Sequence, residues 1–151
     1  MLFRSAAWYK RQGKDLAAAM DAIYDEFGYT LAKVISVELK GVDAMEKAAA
    51  LMQGLRDDTP GAVAECPVTQ VLDYQAGTST VLPGGEVSPL SLPKSNVIEL
   101  CLGDAGRMIV RPSGTEPKVK FYLTAVAGSR ADALDRLADL QEDMQRFVPA
   151  D

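Results

Sequence analysis

The chain has 151 residues, close to the size of one ordinary domain. Its 48% hydrophobic and 25% charged residues are typical of a globular protein, and its net charge of −5 gives nucleic acid or an anionic membrane little overall attraction. The chain contains no histidine, which excludes Ser-His-Asp and Cys-His catalysis and every zinc site that uses histidine.

The N-terminus and the two cysteines favour a cytoplasmic location. Residues 1–14 lack the apolar stretch and the small-residue cleavage site of a signal peptide. No apolar run reaches the roughly 20 residues that span a bilayer. Cys66 and Cys101 match no metal or redox spacing, so we interpret them as reduced thiols in the core. We therefore expect a cytoplasmic protein with no nucleic-acid partner and no membrane partner.

Two helices are predicted at the start of the chain. Residues 2–12 are rich in alanine and aromatic residues and are followed by Gly13. Apolar residues in the next segment recur three and four positions apart, as in an amphipathic helix. These residues are Leu16, Ala19, Met20, Ile23 and Phe27. Gly28 supplies the left-handed stop that commonly ends such a helix.

The pattern then changes to strands and a helix. Residues 34–40 alternate apolar and polar side chains and predict a half-buried strand. Asp43 predicts the capped start of a helix that ends near Arg56. Residues 63–74 predict a second strand, with Pro67 at an edge or a bulge.

The second half of the chain predicts one long loop and more strands. Residues 75–95 are rich in Gly, Pro and Ser and predict a loop that is either functional or disordered. Residues 96–102 and 107–111 predict a hairpin, and 118–126 a further strand. Ser129 predicts the start of a final helix.

This order of helices and hairpins is typical of an α+β fold. We expect a mostly antiparallel sheet of four to five strands with two helices on one face. The two N-terminal helices would precede that sheet as a separate helical segment.

Residues 111–118, Arg-Pro-Ser-Gly-Thr-Glu-Pro-Lys, lie between two predicted strands and carry groups that bind phosphate. Arg111 has a planar, permanent charge that matches two phosphate oxygens at once. Ser113 and Thr115 offer hydroxyl groups, and Gly114 allows backbone N–H groups to converge on an anion. The segment therefore predicts a phosphate site built on a loop.

Neighbouring residues support this interpretation. Pro112 and Pro117 stiffen both ends of the loop, so less entropy is lost when an anion binds. Lys118 adds positive charge, and Arg107 or Lys120 could add more. The alternative is a tight turn with solvated charges, which is what an isolated Pro-Ser-Gly-Thr would indicate.

Residues 111–122 as a whole resemble the phosphate-binding loop of the α-D-phosphohexomutases, the family of phosphoglucomutases and phosphomannomutases. Residues 92–97 and 41–47 are also similar to the C-terminal part of that family. Residues 7–14 are similar to the helical end of its third domain. The resemblance covers nearly the whole chain.

The resemblance implies a division of the chain and a set of contacts. Residues 1–28 would be the helical end of domain 3, and residues 29–151 would be domain 4, the TBP-like α+β domain that holds the non-reacting phosphate of the substrate. By the resemblance, the residues that contact this phosphate are Arg111, Ser113, Gly114, Thr115 and Lys118.

The family resemblance also implies an activity for the intact enzyme. Such an enzyme has four domains and interconverts hexose 1-phosphate and hexose 6-phosphate by moving a phosphoryl group between C1 and C6. It works through a phosphoserine, a hexose 1,6-bisphosphate intermediate and Mg²⁺. The expected partners of this chain are therefore a phosphosugar substrate and domains 1–3 of the same protein.

Three features of the family are missing from this sequence. The histidine that accompanies the catalytic serine is absent, and so are the Asp-x-Asp-x-Asp metal loop and the Gly-Glu-x-Ser-Gly sugar loop. Residues 85–89 only superficially resemble the sugar loop, because Pro89 replaces its last glycine. We therefore expect a fragment without catalytic residues, metal ligands or a cofactor of its own, inactive alone.

A second hypothesis is a stand-alone, non-catalytic module that binds phosphosugars. The reading frame before Met1 discriminates between the two hypotheses. An upstream extension with a serine loop and an aspartate loop would favour the enzyme.

Overall fold

The structure is a computed structural model that describes residues 2–149, with side chains from Arg4 onward. Met1 and residues 150–151, which the predicted domain division includes, lie outside the described residues. The helices and strands follow in chain order: α1 (Leu2–Arg11), α2 (Leu16–Phe27), β1 (Tyr29–Glu38), α3 (Ala44–Asp57), β2 (Ala62–Val63), β3 (Cys66–Pro67), β4 (Gln70–Asp73), β5 (Thr78–Val81), β6 (Val87–Pro89), β7 (Ile98–Cys101), β8 (Gly106–Pro112), β9 (Lys118–Ala127) and α4 (Arg130–Asp143).

Seven of these strands form one antiparallel sheet in the order β1-β9-β8-β7-β4-β5-β6, and β2 and β3 form a separate pair. The predicted α+β class is confirmed. The sheet is wider than the predicted four to five strands, because residues 75–95 are not one loop but contain β5 and β6. These short strands are flanked by Gly and Pro, and only their pairing with β4 and with each other stabilises them as strands.

The predicted strand over residues 63–74 is divided into three short strands, β2, β3 and β4. Ala64 and Glu65 adopt left-handed backbone conformations, with φ of 48° and 60°, and turn the chain between β2 and β3. The N–H of Ala64 donates to the Asp143 carboxylate at 2.7 Å. This contact with the end of α4 helps to hold Ala64 in a conformation that is unfavourable by itself.

Several predicted element ends are close to those observed. Gly28 has a φ of 84° and ends α2 as predicted, with its N–H donating to the carbonyl oxygen of Tyr24. Ser129 caps α4, since its hydroxyl oxygen accepts from the N–H of Asp132 at 3.1 Å. Asp43 precedes α3 but makes no side-chain capping bond. Its carboxylate lies 3.4 Å from the ammonium group of Lys47 instead.

The core lies between the sheet and the two helices α3 and α4, which both pack on the same face. Their buried residues form one cluster with alternate residues of the strands. The largest fully buried side chains in it are Phe121, Met52, Ile98, Leu100, Met108, Leu123, Leu140 and Met144. We call the opposite side of the sheet the outer face. Val34 of β1 lies on the outer face and is 56% exposed.

The helix α2 is largely exposed. In α2 only Ala19 is buried, while Met20, Ile23 and Phe27 of the amphipathic stripe are exposed. The division of the chain after residue 28 stays a prediction. In the part of the chain that the structure describes, no helix combines the length and the apolar character needed to cross a membrane.

Candidate functional site

The loop of residues 113–117 connects β8 to β9, and every residue of β8 pairs with β9. The N–H of Ser113 donates to the carbonyl oxygen of Lys118 at 2.8 Å and closes the loop. The carbonyl oxygen of Pro117 accepts from the N–H of Leu39 at 2.7 Å, just after β1 ends. The loop is therefore fixed at both ends to the long strands of the sheet.

The side chain of Ser113 organises the inside of the loop. Its hydroxyl oxygen accepts from the N–H of Glu116 at 3.2 Å and from the N–H of Thr115 at 3.5 Å. Because a hydroxyl has two lone pairs and one proton, these bonds leave the O–H of Ser113 available to donate to an anion. Thr115 is exposed and its hydroxyl points to no partner among the described residues.

Gly114 is exposed in the loop, and its contact with phosphate stays a prediction. It has no positive φ, and a Cβ placed on it would have no atom within 4 Å. The N–H groups of Thr115 and Glu116 point at the Ser113 hydroxyl rather than at an open anion position. The contribution of Gly114 is therefore open space beside the loop, not an unusual backbone conformation.

A pocket of about 310 Å³ lies beside this loop on the outer face. Its lining combines the end of β8, most of the loop and two outward residues of β9, in the set Arg111, Pro112, Ser113, Gly114, Thr115, Glu116, Lys120 and Tyr122. The structure thus brings together four of the five predicted phosphate contacts.

The fifth predicted contact, Lys118, is not in the lining. Its ammonium group lies 3.4 Å from the Glu116 carboxylate, which offsets its charge. Lys120 lines the pocket in its place and lies directly opposite Arg111 in the strand register. Among the residues that the structure describes, neither Arg111 nor Lys120 forms an ion pair. The pocket therefore combines hydroxyl donors with two positive charges that form no ion pair among these residues, and the Glu116 carboxylate, which lies 3.4 Å from Lys118, also lines it.

Arg107, another candidate cation of the sequence, does not contribute to this pocket. Its guanidinium pairs with the Glu99 carboxylate at 3.1 Å, and the Tyr74 hydroxyl donates to the same carboxylate at 2.8 Å. Burial and this hydrogen bond to Glu99 raise the pKa of Tyr74 to about 12. Burial, with Glu99 nearby, also raises the pKa of the Cys101 thiol. This cluster is a paired, neutralised group and not a second anion site.

A further ion pair lies at the other end of the sheet. Burial alone would raise the pKa of Asp73, but hydrogen bonds from Arg56 and from the N–H groups of Ala76 and Gln75 outweigh it and lower the pKa. Arg56 and Asp73 line a pocket of about 240 Å³ between α3 and β4–β5, and their charges compensate each other at 2.9 Å.

Residues 2–149 do not fit the metal ion that the resemblance implies. Over this range the structure shows no group of three or more His, Cys, Asp or Glu side chains arranged to hold a metal. Magnesium in proteins is usually bound through carboxylates. No step of a mechanism can therefore be assigned to a metal held by these residues.

Sequence reasoning placed Lys120 among several possible cations and did not single out Tyr122. The alternation of β9 would have identified both, because the buried Val119 and Phe121 direct their even-numbered neighbours to the outer face.

Comparisons with known proteins agree with this architecture. Residues 31–144 match the family model for the C-terminal domain of phosphoglucomutase/phosphomannomutase. The chain is 32% identical to a phosphoglucomutase of Staphylococcus epidermidis over 124 residues, which are 82% of this chain and 22% of that protein. It is 32% identical to a probable phosphomannomutase of Haemophilus influenzae over 142 residues, 94% of this chain and 26% of that protein.

A solved structure has a similar fold. It is the open form of the exocytosis-sensitive phosphoprotein pp63/parafusin, a phosphoglucomutase from Paramecium, with a TM-score of 0.50 and 17% identity. The match covers 89% of this chain and 24% of that one. The chain thus spans about a quarter of the length of the relatives it matches. From the family match and these identities, the chain belongs to the phosphoglucomutase/phosphomannomutase C-terminal domain family.

Proposed function

We propose that this chain is the substrate-phosphate-binding domain of a phosphoglucomutase or phosphomannomutase, an enzyme that interconverts hexose 1-phosphate and hexose 6-phosphate. The observation that carries the proposal is the pocket at the end of β8 and β9. In it Arg111 and Lys120, which form no ion pair among the described residues, lie beside the Ser113 hydroxyl. Two positive charges and a free O–H donor are the groups that a phosphate dianion requires.

Each side chain of the pocket has a distinct part in holding the phosphate. The guanidinium of Arg111 binds two phosphate oxygens as a planar fork. The O–H of Ser113 donates to a third, while the hydroxyl of Thr115 and the N–H of Gly114 complete the shell. Lys120 supplies charge from within the pocket lining, whereas Lys118 lies outside the lining and pairs with Glu116.

Holding one phosphate has a catalytic consequence for the intact enzyme. Phosphoryl transfer depends mainly on positioning and charge stabilisation. A domain that fixes the non-reacting phosphate orients the hexose, so that its other end faces the reacting groups. This chain therefore contributes orientation and charge, and no covalent step.

The reacting groups belong to other parts of the enzyme in this proposal. Residues 1–28 are the end of domain 3, residues 29–151 are domain 4, and domains 1–3 are their partners in the same cytoplasmic protein. The phosphoserine, the Mg²⁺ site and the sugar loop lie in those domains. The chain alone binds phosphosugar weakly and is inactive.

The test is an amide NMR titration of the 151-residue chain with glucose 6-phosphate and with inorganic phosphate. We expect saturable shifts confined to the loop and to β8 and β9 beside it, at millimolar ligand, or roughly 4 kcal/mol of binding. Arg111→Ala should abolish these shifts and keep the dispersed spectrum of a folded protein. Arg130→Ala, which removes an exposed arginine at the start of α4, is the matched control and should bind like wild type. Equal binding by Arg111→Ala, or no shifts in the wild-type loop, would show the proposal to be wrong.

A further inference from the structure

Tyr122 is a pocket residue to which the phosphate site gives no role. It lies on β9 between Phe121 and Leu123, whose side chains are buried in the core, so its own side chain lies on the outer face. It is half-buried and lines the same pocket as the phosphate loop. In the described part of the chain its hydroxyl has no hydrogen-bond partner.

The neighbours of Tyr122 extend an apolar strip from the charged end of the pocket. Ile109 of β8 and Val34 of β1 lie directly opposite Tyr122 in the register, one on each side. Directly opposite residues on one face of a sheet are in contact range. Val34 is 56% exposed, so nothing in this structure covers the strip at that side. The ring of Tyr122 is therefore an accessible aromatic surface bordered by aliphatic side chains.

The spacing relates this surface to the phosphate site. Lys120 and Tyr122 are two residues apart on the same face of β9, a separation of about 7 Å. A sugar phosphate whose phosphate is held at Arg111 and Lys120 can therefore extend its carbon skeleton towards the ring of Tyr122. The pocket of about 310 Å³ is at the lower end of the range of small-molecule sites, about 300–1,000 Å³. That volume exceeds what one phosphate group fills.

We infer that Tyr122 is a platform for the sugar ring, so that this domain recognises the carbon skeleton of a sugar phosphate in addition to its phosphate group. One face of a pyranose is lined by C–H groups, which pack on an aromatic surface, and the free phenol hydroxyl can bond a sugar hydroxyl. The inference rests on the proposed function, because the phosphate must be anchored first. It makes Tyr122 a specificity-determining residue that discriminates sugar phosphate from free phosphate.

The test compares dissociation constants of the 151-residue chain for glucose 6-phosphate and inorganic phosphate. Wild type should prefer glucose 6-phosphate by about five-fold, the size of one aromatic packing contact. Tyr122→Leu should lose this preference while its affinity for inorganic phosphate stays unchanged. Tyr122→Phe should retain most of it, because the ring remains. Thr124→Ala is the matched control, since Thr124 is on the same face of β9 two residues beyond Tyr122 and does not line the pocket.

A second measurement needs no variant. The ring-proton signals of Tyr122 should shift with glucose 6-phosphate and not with inorganic phosphate. Ring signals that respond equally to both ligands, or a preference that survives in Tyr122→Leu, would overturn the inference and leave the phosphate site intact. If wild type binds neither ligand, the proposed function and this inference are both overturned.

Discussion

The two faces of the β8–β9 hairpin differ sharply in composition. On the inner face Met108, Val110 and Phe121 are completely buried against α3 and α4. On the outer face, at the loop end, Arg111 and Lys120 are exposed and carry the charge of the candidate site. Since adjacent residues of a strand point to opposite faces, the same hairpin supports the core and presents a ligand site. Stability and binding should therefore respond to different substitutions, even when these are one residue apart.

The largest expected effect is at Phe121, the largest fully buried side chain. Phe121→Ala should lower the free energy of unfolding by about 3–5 kcal/mol, because it removes apolar contacts and leaves a cavity. The neighbouring Lys120→Ala should change it by less than about 0.5 kcal/mol, since that side chain is exposed. Urea denaturation of both variants measures the difference. Similar values for the two would contradict the separation of the faces.

A smaller effect is expected when phosphate binding is compared between variants of two lysines on the outer face of β9. Lys120→Ala should weaken phosphate binding by about five- to ten-fold, because it removes a pocket charge that no ion pair offsets. Lys118→Ala should weaken it by less than about two-fold, since the side chain of Lys118 does not line the pocket and is partly exposed to solvent, which screens its charge. Isothermal titration with inorganic phosphate measures both. A larger loss in Lys118→Ala would restore the order expected from the sequence.

The smallest expected effect is that of Tyr74→Phe on stability. It refines the comparison of the two faces, because Tyr74 is an outer-face residue that stabilises the fold. The pKa of Tyr74 is raised from 10.0 to about 12, so the folded state favours its protonated form. This stabilisation is fully present below about pH 10 and is lost as the pH rises towards 12, where the folded state also releases the proton. Tyr74→Phe should therefore flatten the decline of stability between pH 10 and 12, and cost about 1 kcal/mol at neutral pH.

Absorbance titration of the five tyrosines provides the direct measurement. Wild type should show one tyrosine that ionises last, and Tyr74→Phe should lack that phase. Tyr24→Phe is a suitable control, because Tyr24 belongs to α2, stacks on Tyr29 and forms no hydrogen bond to Glu99. A late phase that persists in Tyr74→Phe would assign the raised pKa to another residue.

Local patterns were sufficient to predict much of this fold. The alternation of β9 and the cap at Ser129 depend on neighbouring residues alone, and both lie where the sequence places them. The phosphate loop is also local, since Arg111 and Thr115 are within five positions and a hairpin keeps them together. The resemblance of that loop to a known family was confirmed by the family match.

Other features depended on contacts between distant segments. Thr78–Val81 lies in a Gly-, Pro- and Ser-rich segment that predicted a loop, and its pairing with β4 and β6 makes it a strand. Ala64 keeps a positive φ because α4 supplies the Asp143 carboxylate.

The ranking of the cations in the site also required the tertiary structure. Lys118 and Lys120 are indistinguishable by residue type, and two residues apart they share a face of β9. The tertiary structure distinguishes them: Lys118 pairs with the Glu116 carboxylate, whereas Lys120 lies opposite Arg111 in the register. The sequence by itself therefore determined the family, the α+β class and the position of the candidate phosphate loop, because each depends on residues that are close together in the chain. The tertiary structure decided the width of the sheet, the conformations held by distant partners and the charges left free to bind, because each depends on which distant groups meet.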